Sequence, residues 1–181
     1  AGASGCIAHT ITQGTPTVSL ADKSTTYTGS GIGAGTVTSK LPNGTATTLT
    51  TTPKYYSDSS CATALSSAPV NVGTYYAKVT STATTNLKAV TSNCAKITIT
   101  KGTPTVSLTA KSTTYTGSAI AANAASAKNP NGGAVTLTYT YTYYTNNACS
   151  SGATTTAPTN VGTYYVKATT AATTNLNAGA S

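Results

Sequence analysis

Hydrophobic and polar residues alternate along much of this chain with a period of two. In 135–143, Val135, Leu137, Tyr139, Tyr141 and Tyr143 are interleaved with Thr136, Thr138, Thr140 and Thr142, which puts apolar and aromatic groups on one face of a strand and hydroxyls on the other. Thr and Tyr both suit strands. After Gly73 the same alternation turns Tyr75, Ala77 and Val79 inward and Thr74, Tyr76 and Lys78 outward, and Tyr164, Val166 and Ala168 repeat it. Another strand is expected over 95–100, with Ile97 and Ile99 on one face. Pro53 interrupts the stretch that holds Leu49, Tyr55 and Tyr56; it has no N–H for a ladder, so a bend or a sheet edge is expected there. Helical periodicity is absent, and the Ala-rich 120–128 reads as strand and loop. Short strands separated by Gly, Asn and Pro turns predict an all-β chain of sandwiches with a core of Val, Leu, Ile and Tyr.

The pattern occurs twice. Thr15-Pro16-Thr17-Val18-Ser19-Leu20 returns as Thr103-Pro104-Thr105-Val106-Ser107-Leu108, and Thr25-Thr26-Tyr27-Thr28-Gly29-Ser30 as Thr113-Thr114-Tyr115-Thr116-Gly117-Ser118, both 88 residues on. Cys6 and Cys94, and Cys61 and Cys149, share that offset. After one inserted residue the offset is 89, as in Val72-Gly73-Thr74-Tyr75-Tyr76 against Val161-Gly162-Thr163-Tyr164-Tyr165. A fixed offset of this kind is the mark of repeated domains. The expected organisation is a first copy over 14–101, a second over 102–181, and an N-terminal strand over 1–13. Tyr27 and Tyr115, Tyr75 and Tyr164, and Leu87 and Leu176 are expected in equivalent buried positions.

Composition removes most chemistry. Among 181 residues, 44 are Thr and 19 are Ser, while Phe, Trp, Met, Arg and Glu are absent and charged residues make up 7%, against about 25% in an ordinary soluble domain. Asp22 and Asp58 are the only acids and His9 the only histidine, so paired-carboxylate hydrolysis, calcium loops and histidine-based triads or zinc sites have almost nothing to be built from. No enzyme activity, metal or cofactor is expected. The net charge of +8 comes from ten isolated lysines, which suit solubility and the blunting of strand edges better than nucleic-acid binding. No apolar run approaches membrane-spanning length and no basic-then-apolar leader is present, so the chain reads as a mature or excised segment.

Thr-Pro-Thr-Val, then Tyr-Thr-Gly, then Ala-Pro-x-Asn-Val-Gly-Thr-Tyr-Tyr-x-Lys, then Thr-Thr-Asn-Leu occur in the same order in both copies. This succession resembles the tandem Ig-like repeats, including the MBG type, of large bacterial surface and secreted proteins. Leu87 and Leu176 stand where an aromatic residue is common in such repeats. The resemblance implies two tandem Ig-like β-sandwich domains, with small β-grasp-like domains as the alternative fold. It also implies a stalk or spacer role at the bacterial cell surface or outside the cell, in a fibre or an adhesin. The competing reading is a glycan- or mucin-binding module, in which outward Tyr76 and Tyr165 stack on host or cell-wall sugars or the threonine stripe meets a regular ligand.

The four cysteines follow the repeat, which makes them structural. Cys61 and Cys94 are the pair within one copy; their disulfide would indicate an oxidising compartment. Buried free thiols are the competing reading, and no Cys-x-x-Cys spacing favours zinc. Asn43-Gly44-Thr45 is a sequon in a turn. Isopeptide or ester cross-links lack an acid in the second copy. Ala1-Gly2-Ala3-Ser4 equals Ala178-Gly179-Ala180-Ser181, and Cys6-Ile7-Ala8-His9-Thr10-Ile11-Thr12 matches Cys94-Ala95-Lys96-Ile97-Thr98-Ile99-Thr100. The second copy thus stops short of a closing strand, and the N-terminal strand has no preceding domain to close. Head-to-tail joining with copies of itself is expected, through a longer continuous chain or strand exchange between subunits, with Cys6 and Cys149 bridging successive units.

Overall fold

A computed structural model describes residues 4–181; Ala1–Ala3, the start of the expected N-terminal strand, lie outside the described residues. The chain is all-β, and among the described residues no helix forms. The strands of the first copy are β1 (Thr17–Leu20), β2 (Lys23–Thr26), β3 (Val37–Lys40), β4 (Ala46–Thr47), β5 (Thr51–Tyr56), β6 (Gly73–Ser81) and β7 (Ala95–Thr100). Those of the second are β8 (Thr105–Ser107), β9 (Ser126–Lys128), β10 (Ala134–Val135), β11 (Tyr139–Tyr144), β12 (Tyr165–Thr170) and β13 (Gly179–Ala180). Two compact units result, one of the residues up to Lys23 with Ile32–Pro69 and Thr74–Thr98, the other of Ser24–Gly31, Val70–Gly73 and Ile99–Ser181.

Among the described residues the strands form four small sheets, ordered β1-β3-β4, β2-β7-β6-β5, β10-β9-β8 and β11-β12-β13. Registers repeat between the copies. Val18 faces Ser39 as Val106 faces Ala127, and Tyr55 faces Ala77 as Tyr143 faces Val166. Pro53 sits inside β5, opposite Val79, and β5 is an edge strand, the position where a residue without an N–H leaves no neighbour unsatisfied. The continuous alternation over 135–143 is divided between two sheets: β10 pairs with β9, whereas β11 pairs with β12. Alternation fixes the face a residue turns to and is silent about which partner receives the strand.

Burial follows the expected faces closely on β7, where Ile97 is 1% and Ile99 2% exposed, while Ala77 and Val79 are buried on β6. In the second copy Val106, Ala127 and Ala168 form a buried cluster with Leu108, Leu137, Tyr139 and Tyr141 partly buried around it. The expected pairs of buried residues do not hold. Tyr27, Tyr75 and Leu87 are half-buried, Tyr164 is exposed, Tyr115 is 63% exposed, and of the six only Leu176 is buried. Residues 4–13, which the repeat aligns with the closing strand of a copy, belong to no strand.

Candidate interaction site

Cys61 and Cys94 are joined, with Cα atoms 6.1 Å apart. Cys61 adopts the left-handed backbone, φ 53°, uncommon for a residue with a side chain. A turn holds it there: the Cys61 N–H donates to the Asp58 carbonyl at 3.1 Å. The Asp58 carboxylate accepts the N–H groups of Ser60 (3.0 Å), Ala62 (3.2 Å) and Thr63 (2.6 Å) together with the Ser60 hydroxyl. The Ser60 hydroxyl first, then the Thr63 and Ala62 amides, hold this carboxyl well below the usual carboxylate range, as donors to an ionised acid do.

The second copy rebuilds the same turn without the acid. Cys149 has φ 51°, its N–H donates to the Asn146 carbonyl at 3.1 Å, and Asn146 Oδ1 accepts the N–H groups of Ser150 and Ser151. Cys149 is half-buried and Cys6 exposed, and both thiols are free.

In the first copy β7 lies between β2 and β6, tied by groups beyond its own ladder. Asn93 Oδ1 accepts the Leu20 N–H and its Nδ2 donates to the Leu20 carbonyl, each at 2.9 Å. Asp22 Oδ1 accepts the Lys96 N–H at 2.7 Å, and the Tyr27 N–H donates to the Thr100 carbonyl at 2.7 Å. In the second copy the corresponding space is a groove of about 920 Å³, lined among others by Leu108, Lys111, Tyr115, Tyr143, Tyr164 and Val166. Its flank Lys111-Ser112-Thr113-Thr114 is identical in sequence to β2 yet forms no strand. Its lysine is nevertheless anchored in the same way, Lys111 Nζ to the Ala121 carbonyl at 2.8 Å and Lys23 Nζ to the Gly33 carbonyl at 3.0 Å.

Ser181 borders the groove. Its N–H donates to the Ala168 carbonyl and its hydroxyl accepts the Ala168 N–H, the arrangement Ser92 makes with Val79. In each copy one serine completes the ladder pair at this point of the strand.

Tyr165 is exposed at the groove wall and faces Tyr144 across the sheet. Tyr76, expected to face solvent, is half-buried and faces Tyr56, because neighbouring tyrosines cover one another across strands. On the threonine side of β11, Thr140 is exposed and Thr142 half-buried, so the stripe is shorter than its sequence. Among the described residues no three His, Cys, Asp or Glu side chains group as metal ligands would. Sequence reasoning passed over Asp58, Asn93 and Ser92; the Asn directly before Cys94 and the serines flanking Asp58 were the available signals. No protein-family model matches the chain, and no curated protein matches it.

Proposed function

We propose that the chain is a structural repeat module, two tandem Ig-like β-sandwich domains of a bacterial extracellular fibre or adhesin stalk, joined to its neighbours by strand complementation or by chain continuity. The observation that carries this reading is the doubled scaffold: two stretches 88 residues apart in sequence pair their strands in the same register and present the same cysteine-bearing turn. A load-bearing spacer needs repetition, short protected edges and covalent bracing rather than a reactive centre. The Cys61–Cys94 disulfide favours an oxidising compartment outside the cytoplasm.

A glycan array probed with the chain separates this from the sugar-binding alternative. A spacer leaves the array blank. Reproducible binding lost in Tyr165→Ala overturns the spacer reading in favour of a binding module, since an exposed aromatic face is what such a module would use.

A further inference from the structure

We propose that Gly102, Asn131 and Asn175 of the second copy form a docking surface for another repeat of this kind, and that it recognises that repeat's Thr-Gly-Ser and Asn-Val-Gly loops. In this chain those loops are 28–30 and 71–73 of the first copy. The surface is independent of the spacer reading, since it would serve a binding module as well.

Ser24–Gly31 and Val70–Gly73 carry first-copy sequence, yet both belong to the second compact unit. Asn175 holds one of them with both ends of its amide: Oδ1 accepts the Val72 N–H and Nδ2 donates to Asn71 Oδ1, each at 2.9 Å. Asn131 holds the other. Its N–H donates to the Thr28 carbonyl at 3.2 Å and its Nδ2 to the Ser30 hydroxyl at 2.9 Å. The approach is close enough to require glycine on both sides. A Cβ on Gly102 would overlap the Tyr27 carbonyl oxygen and lie 2.9 Å from Pro130 Cγ; one on Gly29, at φ 91°, would lie 2.7 Å from Asn129 Nδ2.

Both halves of this contact are written into the repeat. Asn71-Val72-Gly73 recurs as Asn160-Val161-Gly162, and Thr28-Gly29-Ser30 as Thr116-Gly117-Ser118. Gly102, Pro130-Asn131-Gly132 and Asn175-Leu176 have Gly14, Pro42-Asn43-Gly44 and Asn86-Leu87 as their first-copy equivalents. The first copy also builds the frame of the surface bond for bond. The Gly14 N–H donates to the Asn86 carbonyl and the Gly14 carbonyl accepts the Lys88 N–H, each at 2.9 Å, as Gly102 does with Asn175 at 3.1 Å and Asn177 at 2.8 Å. Asn43 Oδ1 accepts the Thr45 N–H at 3.0 Å, as Asn131 Oδ1 accepts the Gly133 N–H at 2.9 Å. A frame built alike in both copies, and seen with its ligand on one, fits the same two loops on the other. Loops and frame are different faces of one repeat, so the contact is heterologous and can pass from repeat to repeat along an array. The motifs that recur in order through the sequence are, on this account, the chemistry of a joint.

The test follows the Val72 amide of the full chain by NMR hydrogen exchange, because its hydrogen bond goes to a side chain 103 residues away. Asn175→Ala should speed its exchange about fivefold or more, the factor for one lost hydrogen bond, while amides of β1 and β3 keep their rates. Asn175→Asp should keep Val72 protected, since a carboxylate still accepts its N–H and Asn71 can turn its own Nδ2 toward it. Asn71→Ala, at an exposed position, loosens the clamp from the first-copy side and should speed Val72 by a smaller factor, even if Asn175→Ala unfolds the second copy. A chain with 14–101 duplicated in tandem should protect the added Val72 amide as well, and Asn86→Ala in the repeat that follows should release it. A native Val72 amide that exchanges at the rate of an unstructured peptide, or one indifferent to both alanine variants, overturns the docking surface. Protection at the original joint but not at the added one overturns its extension to the first copy.

Discussion

Replacing Cys61 and Cys94 together by Ser tests what braces the first copy. The disulfide closes a 33-residue span, and in the chain-entropy treatment a loop of that length removes about 12.5 cal/mol/K from the unfolded ensemble, or about 3.7 kcal/mol at 25 °C. Small domains are stable by only about 5–15 kcal/mol, and this one relies on a core of Val, Ile, Leu, Ala and Tyr without a single Phe or Trp. Loss of the bridge therefore removes a large fraction of its stability and lowers its melting temperature by roughly 15–30 °C. Hydrogen exchange followed through a urea series, read on peptides from β6 and β7, isolates the first copy. Peptides from β12 serve as the control and should not move. Reducing the unmodified chain should shift the same peptides by the same amount. A change below about 1 kcal/mol would refute the reasoning, because the unfolded chain would then be constrained by something other than the bridge.

Ile99→Ala should cost about 2–5 kcal/mol in the same exchange experiment, since it leaves a cavity at a side chain 2% exposed. Tyr141→Phe strands the Ala125 N–H, which donates to the Tyr141 hydroxyl at 2.8 Å; a loss of about 1–2 kcal/mol read on β11 peptides is expected. The lowered Asp58 pKa stabilises the ionised, folded form. Its contribution is complete above the ordinary value of 3.8 and is lost as pH falls from there toward the folded pKa. The stability difference between the native chain and Asp58→Asn, measured by urea titration, should accordingly shrink as the pH is lowered below about 4 and be constant near neutrality. Tyr75→Ala should destabilise more than Tyr164→Ala, because Tyr75 is half-buried and Tyr164 exposed; equal losses in parallel melts would contradict this difference in burial.

Alternation and repetition, properties that need no partner, determined much of this protein. The all-β character, the inward faces of Ala77, Val79, Ile97 and Ile99, and the edge position of Pro53 follow from side-chain period and from a missing N–H. Other features belong to tertiary structure alone. The run over 135–143 is uniform in sequence, yet it splits between two sheets because ladders are made with whatever strand lies alongside. Cys61 and Cys149 take left-handed backbones because turns anchored on Asp58 and Asn146 place them there. The sharpest case is Lys-Ser-Thr-Thr at 23–26 and 111–114: the same four side chains make a strand in one place and none in the other. A strand's identity lies in its sequence only as a propensity; its existence depends on a neighbour's backbone, which 23–26 have in β7 and 111–114 do not.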